Sequence, residues 1–455
     1  MQVIHAKQAL TKSGWKHDLE VAIGADGRIE SVGSFSRTPT HRAAILLPAP
    51  VNLHSHSFQR AMAGLTEARG PDPRDSFWSW RLLMYKFLDQ LTPDDIEAIA
   101  GLVFMEMLEA GYGAVAEFHY LHHDVGGVPY DNLTELSERI VAAAQTAGIG
   151  LTLLPVLYQY GGCDLRSLGG GQQRFGNDPE RFLRLHADAA AVIARGVSDN
   201  VIGIAPHSLR AVDPAGLNTI LSQAKSGPIH MHLAEQVAEV EEVLSYHGLR
   251  PVEWLLKNYA VDARWCLIHC TQMTESETNA LAHTGAVAGL CSITESSLGD
   301  GIFNCPTYLD AGGQFGFGSD SNIQIALFEE LKTLEYSQRL RDLSRAVLAT
   351  PERSTGRVLF DAAATGGAQA GGRDNGRIEL GAQADLIGLD DDNEWLCNRQ
   401  GDAALDSLIF GGGGQNCIRD VWSAGRHVVK EGRHFRRDEI VRKYKQTMKR
   451  LETAI

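Results

Sequence analysis

The sequence predicts an α/β fold, a (β/α)8 TIM-like barrel, with a small β-sandwich domain formed from both chain termini. Three observations predict it: eight short apolar runs through the middle of the chain, helical periodicity between them, and strand-and-turn patterning at the two ends.

The apolar runs lie near 46–53, 113–119, 149–156, 201–206, 228–233, 264–269, 285–290 and 314–320, and each ends in or near a polar residue. Helix signals separate them. Thr92 can accept hydrogen bonds from the orphan amides of a helix opened by Pro93, and Gly111 can end it. Asp178-Pro179 and Asp213-Pro214 repeat the start signal, and Thr274 with Glu277 reads as a capping box. Residues 1–45 and 373–434 carry short alternating runs with Gly-containing turns, so the two ends are expected to pair as one small β domain. That leaves 46–372 as the barrel and 435–455 as a C-terminal surface helix, its basic residues spaced around an apolar stripe. The glycine clusters Gly169–Gly171 and Gly411–Gly414 are read as loops, because neither is followed by the Lys-Ser/Thr of a phosphate loop.

Composition bounds the function. At 455 residues, 44% hydrophobic and 22% charged, the chain is an ordinary globular enzyme in size and balance, with no disordered bias. A net charge of −14 repels polyanions, so nucleic acid is an unsuitable partner. Seven cysteines form no CxxC pair and no disulfide framework, which fits reduced thiols in the cytoplasm. The N-terminus lacks a signal-peptide core and no segment has the apolar length of a membrane span, so a soluble, unprocessed protein with no membrane partner is expected.

The candidate chemistry sits at the ends of the runs. His54 and His56 in LHSH are two apart, and such positions project to one face of a strand. An isolated HxH pair is often a loop feature; at the C-terminal end of a barrel strand it becomes a ligand pair. HMHLAE at 230–235 ends the fifth run and offers His232 or His230 as a third imidazole, with Glu235 close by. LIHC ends the sixth with His269, and FGFGSDSN ends the eighth with Asp320, where Gly316 and Gly318 are expected to let the strand bend. Imidazole and carboxylate donors suit one divalent ion, Zn²⁺ with Fe²⁺ as the alternative, leaving a position for a water whose pKa the ion lowers.

With HSH, HLAE, IHC and GSDSN in this order, the chain resembles the mononuclear deaminase branch of the amidohydrolase superfamily over nearly its whole length. The resemblance implies His54, His56, His232 and Asp320 as metal ligands, with Asp320 also catalytic, Glu235 as proton shuttle and His269 as the residue orienting water. No carboxylated lysine stands at the expected strand, which implies a single metal. A narrower match, in NLHSHSFQRAMAGLTE, DSFWSWR, EFHYLHHD, APHSLRAV, HLAEQ and TESSLGDGIF, resembles the formimidoylglutamate deiminases of histidine degradation. That family converts N-formimidoyl-L-glutamate and water to N-formyl-L-glutamate and ammonia, usually as a homodimer. The resemblance implies that Gln59, Arg81, Tyr120, His207 and Arg210 bind this small dicarboxylate, and arginine forks suit carboxylates. Read from the residues alone, Arg81 fits equally well as a surface residue stacked on Trp78 or Trp80. Ala49 and Ser292 depart from the glycine and proline common in the superfamily, leaving the substrate less defined than the metal chemistry. The competing readings are a deaminase of a purine or other ring, whose pocket wants stacking groups rather than two arginines, and a non-catalytic assembly protein, which would have lost ligands.

Overall fold

A computed structural model describes residues 1–67, 77–223 and 225–452, with the side chains of 77–82 outside the description. The fold is mixed α/β, with the parallel strands alternating with helices through the middle of the chain. One parallel sheet pairs Val51–Ser55 with Ala114–His119, then Gly150–Leu157, which borders the short strands Val201–Ile202 and Ala205–Pro206. A second pairs Ile229–Leu233, Trp265–His269, Val287–Leu290 and Gln314–Phe317, also in parallel. Two isolated parallel bridges, Ile204 to Ile229 and Ser55 to Asp320, link the edges of one sheet to those of the other.

The apolar runs mark these strands, with three differences, one being that the run 201–206 is split into Val201–Ile202 and Ala205–Pro206. The run 46–53 is divided: His41–Pro48 belongs to a different sheet, and the parallel strand starts only at Val51. Pro50 has no N–H to give to a ladder, so the chain changes sheets there. The last strand ends at Phe317, before Asp320, and its glycines serve close packing rather than a bend. A Cβ on Gly318 would stand 2.7 Å from the His54 backbone, and one on Gly316 would stand 2.7 Å from a Leu53 methyl.

The helix starts follow the expected chemistry. Thr92 and Asp95 form a reciprocal capping box on Pro93–Glu109, which ends just before Gly111. Asp178 caps Pro179–Arg195, and Thr274 with Glu277 caps Glu275–Ala282. Asp213 Oδ1 accepts from Gly216 N at 2.6 Å at the start of Pro214–Gln223. The glycine clusters are not plain loops, since Gly170–Phe175 and Gly414–Cys417 are 3₁₀ turns.

Both chain ends build one eight-stranded sheet. Gln2–Thr11, Gly14–Ile23, Ile29–Ser34 and His41–Pro48 come from the N-terminal side, and Leu386–Leu389, Ile418–Ser423, Arg426–Lys430 and Arg433–His434 from the C-terminal side. Ile4, Val21, Ile23, Leu46, Leu386 and Trp422 pack its own apolar cluster. A buried ion cluster ties it to the parallel sheets. Asp199 accepts from Arg373 Nη2 at 3.0 Å and from Arg426 Nη1 at 2.7 Å, while Asp385 accepts from Asn375 Nδ2 at 2.5 Å. The terminal helix Arg437–Glu452 lies on Pro93–Glu109, burying Ile440 against Leu102 and Met105. Among the described residues no helix is long and apolar enough to cross a membrane.

Candidate active site

Strand order brings the candidate ligands together. His54 and His56 end the first parallel strand, and Asp320 follows the last, where His56 N donates to Asp320 O and Asp320 N to His54 O, both at 2.9 Å. A buried polar lattice fixes this junction: Asn52 Nδ2 donates to Ser319 Oγ at 2.7 Å, Ser319 Oγ to Asn322 Oδ1 at 2.6 Å, and Asn322 Nδ2 to Ser55 Oγ at 3.2 Å. Beneath it, the buried Glu117 accepts from Ser57 N at 2.7 Å. His232 arrives from the strand Ile229–Leu233.

The donor atoms of His54, His56, His232 and Asp320 all lie within 4.8 Å of one another. His56 Nδ1 faces Phe118 O at 3.1 Å and His232 Nδ1 faces His207 O at 3.2 Å, so both rings carry their proton on Nδ1. Their Nε2 lone pairs then point inward, His56 Nε2 to Asp320 Oδ1 at 3.2 Å and His232 Nε2 to His54 Nε2 at 3.1 Å. Lone pairs facing one another and a carboxylate at these distances repel unless a cation lies between them. The donor set therefore fits a divalent ion, and the backbone carbonyls behind the rings are the outer shell such sites use. His230 stands apart, its Nε2 2.8 Å from Ala370 O.

Two titratable groups border the cluster. Glu235 is buried, with Oε1 3.6 Å from His269 Nε2, and burial raises its carboxyl above the usual range. His269 Nδ1 faces Glu295 Oε1 at 3.2 Å. Burial works against its charge, but Glu235, Glu295 and Asp320 together lift the imidazole to about 10. At Asp320 burial works upward, but the adjacent His54 and His56 imidazoles outweigh it and hold the carboxyl well below its ordinary value. Ala234, His269, Cys270, Asp320 and Asn322 all adopt positive φ, between 45° and 72°. Such backbone costs about 1–3 kcal/mol per residue, and here it gathers where the strands turn over the cluster.

One pocket collects His56, His232, Glu235, His269 and Asp320 with four of the five expected substrate residues: Gln59, Tyr120, His207 and Arg210. Gln59 Nε2 donates to Tyr120 Oη at 2.7 Å, and Arg210 Nε is buried without a hydrogen-bond partner among the described residues. The fifth, Arg81, has its side chain outside the described residues.

Comparison with known proteins meets this geometry. The amidohydrolase family model matches residues 45–428, and the model described as "Formimidoylglutamate deiminase HutF, N-terminal domain" matches residues 1–35. A formimidoylglutamate deiminase of Pseudomonas aeruginosa is 45% identical over 452 residues, covering 98% of this chain and 99% of that one. The chain belongs to the formimidoylglutamate deiminase family of amidohydrolases. The crystal structure of an amidohydrolase from Brucella melitensis superposes on this family member with a TM-score of 0.95 at 48% identity, covering 99% of this chain and all of that one. A zinc-bound adenosine deaminase from Xanthomonas campestris shares the fold, with a TM-score of 0.82 at 22% identity over 99% of this chain and 98% of that one.

Motif reading did not find Asn52, Glu117, Glu295, Asp300 or Asn322, all buried around the site. As single polar residues they resemble surface residues in sequence. All five fall within stretches that carry the family resemblance, Asn52 in NLHSHSFQRAMAGLTE, Glu117 in EFHYLHHD, Glu295 and Asp300 in TESSLGDGIF and Asn322 in GSDSN, and none was given a task there.

Proposed function

We propose that this site hydrolyses N-formimidoyl-L-glutamate to N-formyl-L-glutamate and ammonia, a step of histidine degradation. The observation that carries the reading is the buried Glu235 and His269 standing in one pocket with the inward-facing donors and the unpartnered Arg210. His54, His56, His232 and Asp320 would hold one divalent ion, Zn²⁺ by preference and Fe²⁺ as the alternative. Such an ion lowers the pKa of water toward neutrality and so supplies the nucleophile.

The residues of the chain do the rest. Arg210 and Arg81 bind the two substrate carboxylates, with Gln59, Tyr120 and His207 supplying hydrogen bonds that orient the formimidoyl carbon toward the cluster. His269 Nε2 orients the water, and Asp320 takes its proton. Glu235, whose carboxyl burial raises, delivers a proton to the departing nitrogen. The carbon exchanges its double bond to nitrogen for one to oxygen, and both water protons are accounted for: the one taken by Asp320 passes to the nitrogen and the other restores Glu235 as ammonia leaves.

We read the two linked sheets as a closed (β/α)8 barrel over 46–372, supported by the Ile204–Ile229 and Ser55–Asp320 bridges. Residues 1–45 and 373–434 form the small β-sandwich domain, to which the pairing of His41–Pro48 adds a few residues, and the segment from 435 on, helical over Arg437–Glu452, is an appendage. The expected setting is a cytoplasmic homodimer, which light scattering checks.

Ammonia release by zinc-loaded protein tests the function, with adenosine as the ring-substrate comparator and His56→Ala as the metal-site control. Release from N-formimidoyl-L-glutamate alone, lost in the variant, is expected. Release from adenosine alone transfers the site to the ring deaminases.

A further inference from the structure

The segment after Val287–Leu290 places a carboxylate that the proposed chemistry does not use. Asp300 is 5% exposed and lies one residue past Gly299, which ends the helix Ser292–Leu298. Its amide closes the helix onto Glu295 O at 3.0 Å. An acidic side chain is not required for that closure, which uses only the backbone.

The side chain reaches across to the loop bearing Glu235. Gln236 Nε2 donates to Asp300 Oδ1 at 2.9 Å, and Gln236 directly follows Glu235. The main chain of Asp300 holds the neighbouring loop, because Gln272 Nε2 donates to Asp300 O. Gln272 is three residues past His269, and Arg250 Nη2 anchors its carbonyl at 2.5 Å. The two loops are also stitched to each other, Gln272 N to Ala234 O at 2.9 Å and Thr271 Oγ1 to Glu235 O. Asp300 therefore pins both loops to a third element. The turn permits no larger neighbour, since a Cβ on Gly301, at φ +122°, would come within 2.6 Å of Gln272 Nε2.

Asp300 Oδ2 is buried with no hydrogen-bond partner among the described residues, so satisfied hydrogen bonding alone does not hold the carboxyl there.

We propose that Asp300 is a positioning residue for the hydrolysis. Acting through Gln236 and Gln272, it holds the Glu235 and His269 loops in register so that Glu235 reaches the departing nitrogen. This rests on the reading of Glu235 as the proton carrier. The carboxyl is suited to stay neutral while it does so: burial first, and then the charge of Glu235, push it up to about 8 against the pull of His269.

The test compares Asp300→Ala, Asp300→Asn and Gln236→Leu in metal-loaded protein by kcat, KM, metal content and amide hydrogen exchange over 233–236. Displacement of a reacting group by about 1 Å costs on the order of 100-fold. Asp300→Ala is accordingly expected to lower kcat about 10- to 100-fold with KM little changed, metal content intact and faster exchange at Glu235 and Gln236. Asp300→Asn keeps an acceptor for Gln236 and restores both kcat and exchange. If Asp300→Ala does not fold, Gln236→Leu cuts the clamp from the other side with the same expected loss. Wild-type kcat in the alanine or leucine variant, or an asparagine variant as impaired as alanine, overturns the proposal. Should the wild type release no ammonia from N-formimidoyl-L-glutamate, the functional reading fails by itself. The exchange comparison then still decides on Asp300, and unchanged exchange in Asp300→Ala refutes the clamp.

Discussion

Two regions of this molecule bury carboxylates, and they resolve the cost in opposite ways. Between the terminal sheet and the parallel strands, Asp199 meets the guanidinium groups of Arg373 and Arg426. Burial raises its carboxyl, but the two arginines outweigh burial and draw it below its ordinary value. In the pocket no arginine pairs with Glu235 or Asp300 among the described residues, and burial raises both carboxyls against the pull of His269. A matched carboxylate is a fixed charge that joins parts of the fold. An unmatched one is a place to keep a proton, which acid–base chemistry needs.

The sharpest way to break this comparison is Arg373→Met. Removing one partner of a buried ion cluster costs about 3–5 kcal/mol, so the urea midpoint falls, while kcat per folded molecule stays at the wild-type value. An equal fall in kcat contradicts the separation of roles. Arg210→Ala is the complementary change in the pocket. Losing a charge-assisted hydrogen bond of about 1.5–3 kcal/mol predicts a drop in kcat/KM of roughly 10- to 150-fold, with the unfolding midpoint unmoved.

A smaller effect separates strain from hydrogen bonding at the ligand junction. Asn322 holds φ at +56° and bonds Ser319 and Ser55. Both Asn322→Ala and Asn322→Gly lose these bonds, but only alanine resists the backbone, so glycine is expected to be the more stable variant by about 1 kcal/mol in calorimetry.

The pH dependence of stability carries the sign of each region. Asp199, depressed in the fold, contributes stability above the ordinary aspartate range that is lost as pH falls through its folded value. Asp300, raised in the fold, contributes stability that is complete below that range and lost as pH rises through about 8. Urea midpoints across pH should thus decline on both sides, and Asp300→Asn should flatten the alkaline side alone.

The difference between the regions also explains what could be read from the sequence. Helix starts at Thr92, Asp178 and Thr274 were legible because capping is local. His54, His56, His232 and Asp320 were legible because ligands at strand ends carry a spacing. Glu295 and Asp300 were not, since their role depends on what the fold packs over them, and a buried acid looks like a surface acid in one dimension. The Arg373–Asp199 pair is separated by 174 residues, a contact that no local pattern encodes. The division at Pro50 was missed for a different reason: apolar residues serve both sheets, so hydrophobicity runs through 46–53 although the pairing does not.

The most direct measurement is the single-turnover rate of ammonia release from N-formimidoyl-L-glutamate by wild type and Glu235→Gln at equal metal content. Removing a positioned general acid predicts a rate lower by about 10²- to 10⁴-fold in the variant, with substrate still bound. Equal rates in the two proteins would contradict the assignment of Glu235, the buried carboxyl without an arginine partner, as the proton donor.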